Sequence, residues 1–196
     1  MKKLKKRFIV PAVVFILGMC ALIGAIYVVG ESQKQQNRTN AKLNAMTYTE
    51  RIYGELMEGI GVTDTLKQVV ISGDGNINKF YDIAANMMDD SIQSIQIAPN
   101  GVVTEIYPEE RNESSKIDLI NDSDRGEISR YARDNDTVIM QGPLKLKQGG
   151  YGIVVRNPVY LEDKNGQKSF WGFTIVILKV PEIFSDSVEA LSNFGY

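Results

Sequence analysis

The 196-residue sequence contains no histidine and a single cysteine, Cys20. Without histidine, the chain cannot build Ser-His-Asp or Cys-His nucleophile systems, histidine-ligated metal sites or the usual proton shuttle at neutral pH. One cysteine cannot form an internal disulfide or supply a thiolate cluster. These absences exclude most hydrolase and metalloenzyme classes, and we expect no catalytic residue, no cofactor and no metal in this chain.

Charge is unevenly distributed along the sequence. Five of the 22 basic residues lie in the first seven positions, and no acidic residue precedes Glu31. The chain from Glu31 onward therefore carries 17 basic and 24 acidic side chains, a formal charge of −7. A part this acidic, with no basic stripe, would repel phosphate, so we expect no nucleic-acid partner.

Residues 8–29 form a stretch without a single charged side chain. As a helix, 22 residues span about 33 Å, enough for the hydrocarbon core of a bilayer. The basic run before this stretch predicts a cytoplasmic N-terminus and an extracytoplasmic location for residues 30–196. A cleaved signal peptide is the alternative, but its apolar stretch is usually about 7–15 residues and ends at a small-residue cleavage site. We therefore favour an uncleaved anchor that crosses the cell membrane once.

Apolar residues at steps of three and four predict a helix over residues 31–60, continuing out of the membrane. Two interpretations of this apolar face are open. It docks on the protein's own domain, or it pairs with a second copy in a homodimer. Gly54 and Gly59 weaken any long coiled coil. The apolar face consists of Ala41, Ala45, Tyr48, Ile52, Leu56 and Ile60.

A glycine-rich break at residues 72–76 precedes a second helix, on which Ile77, Phe80 and Ala84 share a face. The break begins with the ligand spacing of a calcium loop but lacks that loop's turn glycine and final glutamate. We read it as a helix-starting turn with Asx capping. A third helix is predicted over residues 125–134, opened by a capping box at Asp124.

From Ile92 the apolar period changes to two, which predicts β-strands. The sequence Asp-Lys-Asn-Gly at residues 163–166 is a strong signal for a tight hairpin. The order of elements predicts an α+β fold: an N-terminal transmembrane helix, a long juxtamembrane helix, and a PAS-like antiparallel sheet with helices on one face. The predicted strands cover residues 92–97, 102–107, 137–141, 152–160 and 171–179.

The sheet region carries several short motifs in a fixed order. They include Ala98-Pro-Asn-Gly-Val102, Gln141-Gly-Pro143, Asn157-Pro-Val-Tyr160 and Phe170-Trp-Gly-Phe173. Through these motifs, residues 97–181 resemble the CHASE domain, the extracellular sensory module of membrane receptors. The resemblance implies a sensor for a small ligand, followed in the whole receptor by an output module such as a diguanylate cyclase or a histidine kinase. No motif of such an output module occurs in this chain, so we expect the chain itself not to be an enzyme.

The domain organisation follows from these features. Residues 182–196 begin a new amphipathic segment and end on an apolar tail, so we expect the chain to be a truncated part of a longer protein. The predicted parts are a basic cytoplasmic tail (1–7), a transmembrane helix (8–29), an extracytoplasmic helical region (30–96), the sensor sheet (97–181) and the start of a continuation (182–196).

A sensor pocket needs an apolar lining with a few convergent polar groups. Arg156 is notable because it interrupts the apolar run of residues 153–159, and it could clamp a carboxylate or phosphate in a bidentate fork. The alternative, which we favour because it is commoner, is an outward-facing strand residue paired with Glu162 or solvent. The candidate ligand-binding residues are Tyr107, Tyr131, Met140, Tyr151, Arg156 and Thr174.

Three functional hypotheses follow. The first is the extracytoplasmic sensor portion of a signalling receptor, which binds an unknown small ligand and relays the signal through the membrane. The second is a stand-alone membrane-anchored binding or adhesion protein with no signalling output. The third, an enzyme acting through this domain, ranks last because no nucleophile constellation or cofactor loop is present.

Overall fold

A computed structural model describes residues 2–109, 117–146 and 150–180, with side chains from Ile9 onward. The chain divides into two units, residues 1–48 and residues 49–196. In chain order, the elements are α1 (Lys2–Ser72), α2 (Phe80–Met87), β1 (Ile92–Pro99), β2 (Glu105–Tyr107), α3 (Gly126–Asp134), β3 (Ile139–Lys145), β4 (Tyr151–Glu162) and β5 (Lys168–Lys179).

The first helix covers both the predicted membrane span and the predicted juxtamembrane helix. Its apolar part has a mean hydropathy of 2.7 over 18 residues and is not buried in the protein. By length and composition, it is one helix that could cross a membrane. Further along α1, Ile52, Leu56 and Ile60 pack on the core of the second unit. For these three residues, the docked interpretation of the apolar face is correct.

The glycine-rich break ends α1 and does not start α2, which corrects the sequence prediction. The Gly75 N–H donates to the Val70 carbonyl at 2.9 Å, closing the last turn of the helix. Gly75 has φ +84°, and a Cβ there would lie 2.8 Å from Trp171 Nε1. The predicted Asx cap of α2 is absent, because the residue before that helix is Lys79 with no side-chain cap. At position 75, glycine is therefore required both by the positive φ angle and by the indole ring of Trp171 packed against it.

Within the described residues, the five strands form one antiparallel sheet in the order β2-β1-β5-β4-β3. This confirms the predicted α+β class.

The predicted hairpin between β4 and β5 is confirmed as well. Asp163 Oδ1 accepts the N–H groups of Asn165 and Gln167 at 2.8 and 2.9 Å, and these bonds lower the pKa of Asp163. The second predicted strand is shorter than expected, since Val102 forms only an isolated bridge with Asp118.

Side chains from the two faces of the sheet form two separate cores. On one face, Leu66 of α1 and Phe80 of α2 pack with Val155 and Val176. On the other face, Ala132 of α3 packs with strand residues such as Val154. The expectation that helices cover one face therefore holds for α1 and α2, whereas α3 covers the opposite face. Fully burying an aliphatic or aromatic side chain of this size contributes about 1.5–3 kcal/mol.

The start of α3 also differs from the predicted capping box. The residue before the helix is Arg125, which has no side-chain cap, and Asp124 does not cap it either. Instead, Asp122 Oδ1 accepts the backbone N–H groups of Asp124 and Arg125 at 3.0 and 3.1 Å. At the other end of α3, the Tyr160 hydroxyl donates to the Arg133 carbonyl. Hydrogen bonds therefore hold both ends of α3: those of Asp122 in the preceding loop hold its start, and that of Tyr160 in β4 holds its end.

Candidate functional site

A cross-strand row of three residues forms the floor of the candidate site. Gln96 of β1 pairs with Ile175 of β5, which pairs in turn with Arg156 of β4. Because side chains alternate along a strand, Arg156 lies on the same face as Val154, which is the face covered by α3. The row therefore places an amide and a guanidinium on the same face of the sheet, on either side of Ile175 and beneath the α3 layer.

A small cavity of about 30 Å³ lies against this row. Seven of its ten lining residues are aliphatic, and the other three are one glutamine and two arginines. No carboxylate is among these lining residues. The cavity is lined by Gln96, Val103, Ile117, Leu119, Arg125, Leu146, Val154, Arg156, Ile175 and Ile177.

Arg156 is fully buried, with 0% of its surface exposed. The solvent-exposed interpretation favoured from the sequence is therefore wrong. Its Nη1 donates to Gln141 Oε1 at 2.8 Å. Its Nε and Nη2 have no hydrogen-bond partner among the described residues. Leaving buried donors of a charged group unpaired is costly, so two unmatched nitrogens on one guanidinium are unusual in a stable protein.

Electrostatics around the cavity are dominated by positive charge. Burial, with a smaller contribution from the repulsion by Arg125, lowers the pKa of Arg156 to about 10, while Asp122 acts in the opposite direction. The guanidinium still carries its full charge at neutral pH. Arg125 lies at the start of α3, where its Nη2 donates to the Lys145 carbonyl at 3.4 Å. Two guanidiniums thus converge on one mostly apolar cavity.

A wider, open groove of about 310 Å³ lies nearby, between α3 and β3. Its walls are Asp124, Glu127, Ile128, Tyr131 and Gln141. Gln141 also accepts the hydrogen bond of Arg156, so a single side chain links the groove to the buried guanidinium. A ligand larger than the cavity could extend in this direction.

On the opposite face of β4, a second polar cluster joins the sheet to α1. Asn157 Nδ2 donates to Asp64 Oδ1 at 2.6 Å, and Lys67 Nζ donates to Asn157 Oδ1 at 3.3 Å. Thr174 Oγ1 donates to the Thr63 carbonyl at 3.0 Å. Asn157, Thr63 and Thr174 are all buried. These bonds satisfy polar groups that would otherwise be buried unpaired, and they fix α1 to β4 and β5.

The six candidate residues from the sequence lie in different parts of the fold. Arg156 lines the cavity and Tyr131, 54% exposed, lines the groove. Tyr107 and Met140 pack on the core beneath α1 and α2. Thr174 bonds to α1, and Tyr151 is 59% exposed. The structure therefore brings only Arg156 and Tyr131 near each other, through Gln141.

The sequence reasoning missed three polar residues around Arg156. Gln96 has no charge or motif to distinguish it. Gln141 begins the motif Gln141-Gly-Pro143, which carried the family resemblance but did not indicate a site, and Arg125 precedes a helix where a surface role is usual. The one signal that could have found Gln96 is its place in a strand whose other residues are mostly apolar, Ile92–Pro99. A polar side chain at such a position is either paired or functional.

Comparison with known proteins identifies the class. The family model of the CHASE domain matches residues 78–194, more than half of the chain. The chain belongs to the CHASE domain family, whose members are sensory domains. No curated protein matches the sequence.

A solved structure supports the fold. The chain is similar to an extracellular ligand binding receptor from Desulfohalobium retbaense DSM5692, with a TM-score of 0.56 and 13% sequence identity. The match covers 73% of this chain but only 26% of the receptor, so the chain spans about a quarter of the length of that protein. At this identity, the likeness concerns the fold alone.

Proposed function

We propose that this chain is the sensory part of a membrane receptor and that a small ligand binds in the cavity beside Arg156. In this proposal residues 8–29 anchor the protein, the N-terminus is cytoplasmic and residues 30–196 are extracytoplasmic. The observation that carries the proposal is the buried guanidinium of Arg156 at the wall of a cavity, with its Nε and Nη2 unmatched among the described residues. Membership of a sensory family supports it.

The route from the cavity to α1 passes through β4. Arg156 faces the cavity, and its neighbour Asn157 bonds to Asp64 on the other side of the sheet. A ligand that binds one arrangement of β4 more tightly than another shifts the population of α1 positions. A ligand with equal affinity for both arrangements would shift nothing, however tightly it bound.

The proposal includes a homodimer formed through α1. Since Ile52, Leu56 and Ile60 pack on the protein's own core, a dimer needs another face of the helix. On another face of α1, four apolar side chains are 38–61% exposed. They follow one another at steps of three, seven and four residues, which is the spacing of the contact positions in a pair of helices. These side chains are Leu43, Met46, Tyr53 and Met57.

The output of the receptor belongs to a part of the protein beyond this chain. The CHASE family implies a downstream module such as a diguanylate cyclase or a histidine kinase. In that arrangement this chain senses the ligand and contributes no enzymatic step itself.

The test of ligand binding uses the full chain in lipid nanodiscs. Thermal unfolding is followed while small molecules of neutral, cationic and anionic classes are added one at a time. A ligand at 100 times its Kd stabilises the folded state by about 2.7 kcal/mol. We expect at least one class to raise the Tm of the wild-type protein.

The control is a variant whose cavity is filled. Val154→Phe places a ring in the cavity and costs about 1–3 kcal/mol through overpacking, so its response is compared with its own ligand-free Tm. The matched variant Ile71→Phe adds a ring to an exposed position on α1. We expect Val154→Phe to lose the response and Ile71→Phe to keep it. A response that survives in Val154→Phe, or no response to any class in the wild type, would refute the proposal.

A further inference from the structure

We infer that the group held beside Arg156 is the carboxylate of a short aliphatic monocarboxylate anion. This inference rests on the proposed function, because it names the chemical class that the same cavity binds. It is carried by three observations: which donors of Arg156 are unmatched, what charge surrounds them, and how large and how apolar the cavity is.

The unmatched donors favour a planar, two-oxygen partner. Nη1 is already bonded to Gln141, and Nε and Nη2 remain without a partner among the described residues. These two nitrogens lie on the same edge of the guanidinium, where their N–H bonds point in parallel. A carboxylate matches that edge with two parallel hydrogen bonds, which a hydroxyl or a single carbonyl cannot do.

The charge balance favours a single negative charge. Arg156 and Arg125 line the cavity, and Asp122 is the carboxylate that acts on Arg156 from nearby. Asp122 Oδ1 also accepts the backbone N–H groups of Asp124 and Arg125 at the start of α3. Two positive charges and one negative charge leave one positive charge to be matched. A monoanion matches it, whereas a phosphate dianion would add a charge without a partner.

The size and lining of the cavity favour a short aliphatic body. A volume of about 30 Å³ holds roughly one or two water molecules, which is the scale of a carboxylate group with little attached. Besides the two arginines, the polar lining residue is Gln96, whose Nε2 already donates to Ser94 Oγ at 3.0 Å. The other seven lining residues are aliphatic and offer no donor for a sugar or a second acid group. The carboxylate group of acetate or propionate therefore has the required size and charge, and its short chain can contact the aliphatic walls.

The test measures binding of propionate to the full chain in nanodiscs by isothermal titration, in a carboxylate-free buffer of constant ionic strength. Propionamide is the neutral molecule of the same shape, and inorganic phosphate is the comparison anion. We expect propionate to bind at least tenfold more tightly than either. Equal binding of propionamide would overturn the charge argument, and tighter binding of phosphate would overturn the carboxylate.

Two variants make the test specific to Arg156. Arg156→Gln should abolish propionate binding. Gln141→Glu keeps the shape of the side chain but supplies Arg156 with its own carboxylate, so the Kd for propionate should rise at least tenfold even if Arg156→Gln fails to fold. The matched variant Gln68→Glu, exposed on α1, should bind as the wild type does. Unchanged propionate binding in Gln141→Glu would overturn the inference.

Failure of this inference is distinguishable from failure of the proposed function. If propionate does not bind but another compound stabilises the wild type and not Val154→Phe, the carboxylate class is wrong and the cavity remains the ligand site. If no compound of any class has this effect, both are wrong.

Discussion

Asn157 Nδ2 lies 2.6 Å from Asp64 Oδ1, and this hydrogen bond joins the interior strand β4 to α1. The preceding residue, Arg156, points to the opposite face of the same strand and lines the cavity. Adjacent residues of one strand thus connect the candidate ligand site with the helix that continues toward the predicted membrane span. Because β-strands place successive side chains on opposite faces, no intermediate element is needed between the two contacts.

Replacing Arg156 with methionine should stabilise the ligand-free protein. Burial lowers the pKa of Arg156 from its ordinary value to about 10, so the charged form costs folding free energy at pH 7, and this cost decreases progressively as the pH rises above about 10. An apolar side chain of similar length removes the unpaired buried charge, and we expect Arg156→Met to raise the free energy of unfolding by about 1–3 kcal/mol. Chemical denaturation of the full chain measures this. The control, Arg133→Met, removes a surface ion pair with Asp134 and should change stability by less than about 1 kcal/mol. A marked loss of stability in Arg156→Met would contradict the prediction.

Replacing Asn157 with alanine should loosen α1 from the sheet. The variant leaves the carboxylate of Asp64 and the amine of Lys67 without their amide partner, which costs about 1–3 kcal/mol. Hydrogen exchange should become faster in the residues around Asp64, and a ligand that protects this segment in the wild type should no longer do so. Asn86→Ala, at an exposed position on α2, is the control and should leave exchange in α1 unchanged. Equal exchange in Asn157→Ala and wild type would rule out this contact as the connection to α1.

A cysteine at Met57 should crosslink the proposed dimer. In a Cys20→Ser background, Met57→Cys places a thiol on the exposed apolar stripe, and Glu58→Cys places one about 100° around the helix. We expect disulfide-linked dimers to form at least fivefold faster for Met57→Cys in nanodiscs. Equal rates, or a protein that remains monomeric at high concentration, would count against the helix pair.

The affinity for propionate should fall at low pH, where the ligand is protonated, and at high pH, where Arg156 loses its charge. A carboxylate ligand is ionised above about pH 5, so its affinity is present above that value and is lost as the pH falls through it. Arg156 is charged below about pH 10, so affinity is present below that value and is lost as the pH rises through it. Arg125 and Asp122 are the other charged groups that act on the same guanidinium. Titrations at pH 6, 8 and 10.5, with circular dichroism to verify folding, should give equal Kd values at the first two and weaker binding at the third. Unchanged affinity at pH 10.5 would show that Arg156 is not the binding group.

The reading frame of the gene should continue past the codon for Tyr196. A second apolar span followed by a catalytic module would assign the output of the receptor, as the CHASE family implies. Sequencing the coding DNA tests this directly. A stop codon immediately after Tyr196 would favour the stand-alone anchored binding protein instead.

The amino-acid sequence alone determined the features that depend on local physics. The uncharged stretch 8–29 predicts a membrane-spanning helix because hydrocarbon excludes charge. The change from a helical period to a period of two at Ile92 predicts the start of the sheet, and Asp163 to Gly166 predict the β4–β5 hairpin. The order of short motifs was enough to identify the CHASE resemblance.

Only the tertiary structure decided what Arg156 does. The strand β4 lies inside the sheet and is covered on both faces, so its residues 152–159 are all buried and show no apolar–polar alternation. Without alternation, a sequence does not reveal which side chains face which layer. The separation of Arg156 from Asn157, and the placement of α3 opposite α1, follow from long-range packing. For that reason, an arginine that looks like a surface residue in the sequence is the buried centre of the candidate site.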